Sequence, residues 1–399
     1  MVETERPLVA TVGPLAWIRK NLVGTWYDAL LTLFALVVIV YAVPATVRWF
    51  LAADWAVVTS NLQVLLVGAY PDEQMWRTGL TTLYIPLVLG LAWGTWPKFV
   101  RVFGRSLAVL CVVVAALPVT FRSLGVGFRV YLLLYPVLMA VGYAAARYTP
   151  VGRARWVMSI WLFFYVVTVI VLQGFEGSSV LPFVGRRRWG GLLVTLMMAQ
   201  AGCVIAFPMG VLLALGRRSS LPFVRAVCVA YIEVLRGTPL LALLFVTQVL
   251  LPVLLPDSMI PDRLTRGLIG LILNNAAYMA ENVRGGLQSV PSGQTEAARA
   301  VALKQFRITL FIVLPQALRN VLPAIAGQFI ILFKDTAVIS LLGLQDFLGT
   351  ANSIVSGQRA WANREAEMFI FVAVVYWVFT YTMSLVSRKL EKAMGVGER

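Results

Sequence analysis

The sequence predicts an all-α polytopic membrane protein with about ten transmembrane helices, and three observations predict it. Of its 399 residues, 60% are hydrophobic and 13% charged, with a mean hydropathy of +0.82. That is more apolar side chain than a water-soluble core needs. The apolar residues fall in runs near the ~20 that cross a bilayer as a helix. Within a run such as Leu30 to Tyr41 every side is apolar, whereas a barrel strand alternates apolar and polar positions over about ten residues.

The expected spans are 29–50, 80–96, 106–121, 129–146, 156–173, 190–215, 224–252, 264–286, 320–343 and 368–387. Arg19 and Lys20 precede the first, whose apolar run from about Ala29 to Ala45 is long enough to span, so it reads as an uncleaved helix. Positive charge tests the order. With the N-terminus inside, most of the 34 Lys and Arg fall in inner segments, among them Lys98/Arg101/Arg105, Arg147/Arg153/Arg155, Arg217/Arg218 and Arg388/Lys389/Lys392. Cytoplasmic loops carry that excess, and an even number of spans then puts both termini in the cytoplasm. Arg186-Arg187-Arg188 is the exception, outside and just ahead of the sixth span. The net charge of +16 follows from this distribution, and no nucleic-acid partner is expected.

Several chemistries are excluded. The chain has no histidine, which removes His-based catalysis and most zinc sites. Cys111, Cys203 and Cys228 lie in apolar stretches without metal spacing and read as packing residues. No Gly-x4-Gly-Lys-[Ser/Thr] loop is present, so the chain has no nucleotide cradle of its own. The outer acids Asp72/Glu73, Asp257, Asp262 and Glu365/Glu367 are scattered and are expected to be solvated. No internal repeat is visible.

The chain divides near residue 185. Residues 1–185 form an N-terminal transmembrane region of about five helices, nearly free of charge within its spans. Residues 186–399 carry the intramembrane charges and the one distinctive inner loop, 288–319. There, Pro291-Ser292-Gly293 makes a turn, and Ser292 or Thr295 can cap the helix that follows. Glu296 then falls in its first turn, where its charge suits the helix dipole. Ala297, Ala298, Ala300, Val301, Ala302 and Leu303 continue a small-residue helix able to enter a groove closely, and Pro315 ends the unit. The ordinary alternative is a helix lying at the lipid headgroups.

Charge at mid-membrane costs at least about 2.5–3.5 kcal/mol, so it needs a partner or a use. Glu233, Arg236, Lys334 and Asp335 lie in or near spans, with Glu281 and Arg284 close to the cytoplasmic end of the eighth. An amino acid brings one ammonium and one carboxylate; Asp335 could face the first, Arg236 or Lys334 the second. Internal pairing is the other reading, because Glu233 and Arg236, like Glu281 and Arg284, stand three apart on one helix face. Arg236-Gly237-Thr238-Pro239 also reads as a helix interruption.

Glu296-Ala297-Ala298, Ala302 and Ile312-x-Leu314-Pro315 resemble the coupling loop of ABC-importer permeases: EAA, three residues, Gly, nine residues, Ile-x-Leu-Pro. Every spacing is met, with Ala302 in place of the glycine, which bears on any bend that glycine allows. Gly190 to Leu196, Tyr231 to Leu241, Ala277 to Gly286 and Lys334-Asp335-Thr336 are similar to segments of permeases for polar amino acids. The resemblance covers about 190 to 390. It implies a five-helix type I ABC permease core preceded by about five extra helices, as in the longer permeases of general or acidic amino-acid importers.

The resemblance implies the transmembrane subunit of an ATP-driven importer for polar L-amino acids in the bacterial inner membrane, not an enzyme. The expected partners are an ABC ATPase dimer, a second and related permease subunit, a periplasmic substrate-binding protein and membrane lipid. ATP and Mg would sit on the ATPase, with no cofactor on this chain. The coupling residues would be Glu296, Ala297, Ala298, Ala302, Leu303, Leu314 and Pro315. The substrate pathway would involve Asp335, Gln328, Lys334, Glu233, Arg236 and Glu281; the resemblance places Gln328 where related permeases often carry Glu, on the same face as Asp335. A self-contained secondary transporter is the alternative, and it predicts repeats around a midplane ion site.

Overall fold

The computed structural model describes residues 21–96, 125–152 and 154–393, with Trp17 and positions 104–105, 108–109 and 111–112 besides. The chain divides into two units, residues 1–56 and 57–399. In the first, α1 (Trp26–Ala52) starts at a capping box in which Thr25 and Asp28 bond each other's backbone N–H. None of its residues is buried, as suits an apolar helix facing lipid.

Two short helices, Ala56–Thr59 and Leu62–Val67, come first. The helices α2 (Met75–Thr95), α3 (Gly125–Tyr148) and α4 (Ala154–Gln173) follow. α2 and α3 cross closely: a Cβ on Gly90 would lie 2.1 Å from the Met139 carbonyl oxygen, and one on Gly142 2.1 Å from that of Leu87. Small residues permit such approaches between membrane helices. α2 starts ahead of the expected residue 80 and so carries Arg77, which is fully buried and donates to the Pro182 carbonyl at 2.9 Å. The first half is thus not as free of buried charge as its hydropathy suggests. The expected span 106–121 lies almost wholly outside the described residues.

They are followed by α5 (Gly191–Arg217), α6 (Pro222–Gly237), α7 (Leu240–Phe245), α8 (Arg263–Ser289), α9 (Ser292–Ala300), α10 (Leu314–Asn320), α11 (Leu322–Asp335), α12 (Phe347–Gly357) and α13 (Glu365–Ala393), with shorter turns of helix between them. Six described helices are long and apolar enough to cross a membrane. The expected span 224–252 is not one straight helix: Pro222–Gly237 and Leu240–Leu254 meet at 109°. The break falls at Thr238-Pro239, where proline withholds its N–H and its ring blocks a continuing turn. α8 is 27 residues long, about 40 Å at 1.5 Å per residue, and its polar residues are turned to protein neighbours rather than lipid.

One buried cluster joins the two halves of the sequence: Tyr70, Leu172 and Val184 pack with Trp189, Leu193, Met198, Leu271 and Leu344. Beside it Arg186 donates to Asp262 at 2.7 Å, Thr265 at 2.9 Å and Gln173 at 3.0 Å. Arg186, the first of the triple arginine that fits the charge rule poorly, is therefore a structural tie between the end of α4 and the start of α8, while Arg187 and Arg188 are exposed. Asp262 is correspondingly not a free solvated acid. Burial by itself would raise its carboxyl, but the Thr265 hydroxyl and N–H and the Arg186 guanidinium together hold it below the ordinary carboxylate value. Glu367 is likewise buried and bonded to Arg364 at 3.1 Å.

Candidate functional site

The surface loop folds as a helix and a sharp turn. α9 starts at Ser292 behind Pro291, and no side chain caps it, so neither Ser292 nor Thr295 has the expected capping role. Glu296 consequently sits in the second turn, away from the strongest field of the helix dipole. α9 stops at Ala300, and Val301, Ala302 and Leu303 are not helical. Ala302 has φ +58° and is the one non-glycine with positive φ among the described residues. Its N–H bonds the Arg299 carbonyl at 2.9 Å, and the Leu303 N–H bonds the Ala298 carbonyl at 3.2 Å. This pair of bonds is the Schellman closure, normally built with glycine at the left-handed position. The bend of the glycine pattern is kept by an alanine, at a strain of about 1–2 kcal/mol. What holds it is packing. Ala298 is buried, and Leu303 packs on the same cluster of Ile232, Val283, Leu287, Ile308 and Leu314.

Pro315 does not end the unit. Gln305–Arg307, a π-helical stretch Ile308–Val313 and α10 run on in sequence to Asn320. The widened π turn leaves room for the proline ring and for the missing N–H. Glu296, Ala297, Ala302 and Pro315 are exposed, whereas Ala298 and Leu314 are buried and Leu303 is half-buried. Four of the seven predicted residues face outward and three pack inward. An open groove of about 1000 Å³ runs alongside, lined by Arg218, Ser220, Ser292, Glu296, Arg299 and Phe306 among others.

Two polar groups lie further along α8. In the first, Gln328 Nε2 donates to Asn275 Oδ1 at 2.7 Å, and Asn275 Nδ2 stands 3.4 Å from Asp335 Oδ2 while also donating to the Leu271 carbonyl at 3.0 Å. Gln328 and Asp335 on α11 thus meet through Asn275 of α8, a residue the sequence reasoning passed over. Its signal was present: Asn274-Asn275 are adjacent amides inside an otherwise apolar stretch, and a buried amide demands partners. Lys334 is exposed and takes no part in this relay.

The second group is ionic. Glu233 does not bridge to Arg236; it accepts from Arg217 at 2.9 Å. Glu281 accepts from Arg284 Nε at 2.8 Å, as the spacing predicted. Arg217 and Arg236 lie 3.6 and 3.7 Å from its other oxygen. Arg236, in the last turn of α6, reaches across to α8, where its guanidinium also stands over the Tyr278 ring, 5.7 Å from the centroid. Glu233, Arg236 and Glu281 therefore belong to one cluster at the loop end of α8, apart from Gln328 and Asp335. Among the described residues no group of three His, Cys, Asp or Glu could hold a metal ion.

Fold and site together define a multi-pass helical membrane protein that offers one exposed helix and turn beside a charged cluster. Residues 206–396 match the family model described as "Binding-protein-dependent transport system inner membrane component". The chain belongs to this family, whose members are permease subunits of ABC importers and not themselves enzymes, and it is an inner-membrane protein. It is 32% identical to the inner membrane amino-acid ABC transporter permease protein YhdY of Escherichia coli (strain K12), over 96% of this chain and 94% of that one. It is also 32% identical to the glutamate/glutamine/aspartate/asparagine transport system permease protein BztC of Rhodobacter capsulatus, over 97% of this chain and 95% of that one. Among solved structures, an amino acid ABC transporter with histidines is similar at 34% identity and a TM-score of 0.46, covering 51% of this chain and 92% of its own.

Proposed function

We propose that this chain is the translocating subunit of an ATP-driven importer of polar L-amino acids, the acidic ones and their amides foremost. Long-range similarity to YhdY and BztC supports that substrate class. Residues 186–399 form the permease core and residues 1–185 an accessory membrane region, with both termini cytoplasmic. An ABC ATPase dimer docks on α9 and its turn, through the exposed Glu296, Ala297, Ala302 and Pro315. ATP and Mg belong to that partner. A second, related permease subunit completes the pathway, and a periplasmic binding protein delivers substrate to the outer loops.

The observation that carries this reading is the bend after α9. An alanine is held in a left-handed conformation so that a short helix stands out from the bundle, which a helix resting in lipid does not require. Docking drives transport only by contacting the inward-open and outward-open states differently. The substrate path runs past Asp335, Gln328 and Asn275. Asp335 faces the ammonium, while Gln328 supplies an amide rather than a second negative charge and so admits acidic and neutral side chains.

The test is uptake of L-glutamate and L-glutamine into proteoliposomes holding the complex, with and without the ATPase. ATP-dependent uptake is expected. Uptake by this chain alone on an ion gradient would overturn the reading.

A further inference from the structure

We infer that Glu281 is a positioning residue that carries motion from the docking helix to the break at Thr238-Pro239. The inference rests on the docking role proposed for α9. Three elements meet at this carboxylate: Arg284 from its own helix, Arg217 from the last turn of α5, and Arg236 from the end of α6. α8 ends at Ser289 and α9 starts at Ser292, so a push on α9 reaches Glu281 along a single helix with almost no slack. Arg236 is the penultimate residue of α6, directly ahead of the break. Beyond the break, α7 returns to pack on α8. The break is therefore held to α8 on both sides, and Glu281 is the charged side of that hold.

The geometry gives Glu281 a specific task. Its Oε1 is bonded to Arg284, but its Oε2 is buried and accepts no hydrogen bond, standing between the Arg217 and Arg236 guanidiniums. Without this carboxylate, three guanidiniums would share the corner with Glu233 alone. Like charges at such separations repel, and α6 would then part from α8. Tyr278 adds a lesser hold, donating its hydroxyl to the Arg236 carbonyl at 3.4 Å.

The test needs a readout at the break itself. A Cβ on Gly237 meets nothing within 4 Å, so Gly237→Cys introduces a thiol without a clash. The assay uses the full complex with the three native cysteines replaced, and compares maleimide labelling of that thiol in the resting and the ATP/vanadate-trapped states. In the parent complex trapping should change the labelling rate by about fivefold or more, the ordinary size of a coupling between two sites. With Glu281→Gln the change should vanish while ATP hydrolysis persists, and Glu281→Asp should restore part of it. If Glu281→Gln does not assemble, Arg217→Gln with Arg236→Gln removes the same link from the other side and should give the same result.

A nucleotide response of undiminished size in these variants would overturn the inference. So would a parent complex whose thiol ignores nucleotide, or a parallel loss of hydrolysis and response. Failure of the amino-acid reading shows differently: a normal thiol response with no ATP-dependent uptake.

Discussion

Replacing Ala302 by glycine and by valine probes the bend that presents α9. Alanine at φ +58° carries about 1–2 kcal/mol of strain. Glycine removes it but loosens the unfolded chain by about 0.4–1 kcal/mol. The difference favours glycine by about 0.5–1 kcal/mol, a two- to fivefold gain in the population of the bent form at 1.4 kcal/mol per decade. Valine crowds the left-handed region further and should straighten or fray the turn, separating Leu303 from Ala298 and the cluster beneath. Binding of the purified ATPase to the permease in nanodiscs reads the effect. Ala302→Gly should bind as tightly as the parent or about twofold to fivefold tighter, and Ala302→Val at least about fivefold weaker. Hydrogen exchange at the Ala302 and Leu303 amides should slow in the first variant and quicken in the second. Equal exchange and equal binding in all three chains would mean that position 302 does not hold a left-handed bend, and the account of the docking surface would fail with it.

Glu296→Lys should abolish ATP-coupled uptake while thermal stability stays within about 0.5 kcal/mol, since an exposed substitution removes no packing; normal uptake by this variant refutes docking through Glu296. Asn275→Leu keeps the branched outline but strips Gln328 and Asp335 of their shared partner, a cost of about 1–3 kcal/mol. It should lower uptake and alter the preference between L-glutamate and L-glutamine, as should Asp335→Asn. An unchanged preference in both variants places the selecting groups elsewhere. Asp346 caps α12 from a buried position, accepting from Gly349 N–H at 2.9 Å and Leu348 N–H at 3.2 Å, and burial pushes its carboxyl up to about 7 despite those bonds. Its folded value exceeds its unfolded one, so the folded state holds the extra proton and this group's stability falls as pH rises from about 4 to about 7. Asp346→Asn retains a good cap and should flatten that decline in melting temperature between about pH 4 and about pH 7; an unaltered slope assigns it to another group.

The resemblance of 190 to 390 and the order of apolar runs located the exposed surface loop and the helices around it, because chain-local spacing carries both. The pairing of charges was only half legible. Glu281 with Arg284 followed from a three-residue step on one helix, but Glu233 with Arg217 did not, since that partner stands on another helix, α5, brought alongside only by packing. The start of α9 departs from the local pattern, which offered Ser292 and Thr295 as caps: Pro291 stands at the N-cap with no side-chain cap, and packing of Ala298 and Leu303 holds the end of the helix.

By itself, then, the sequence determined which segments are apolar enough to enter the bilayer and which residue types stand at the surface loop. Hydrophobic length and short-range spacing are properties of neighbours in the chain. Only the tertiary structure decided that Asn275 joins Gln328 to Asp335, that Arg186 ties α4 to α8, and that an alanine takes a glycine's backbone. Each of these depends on a partner many residues away, and its energy exists only once the helices have packed.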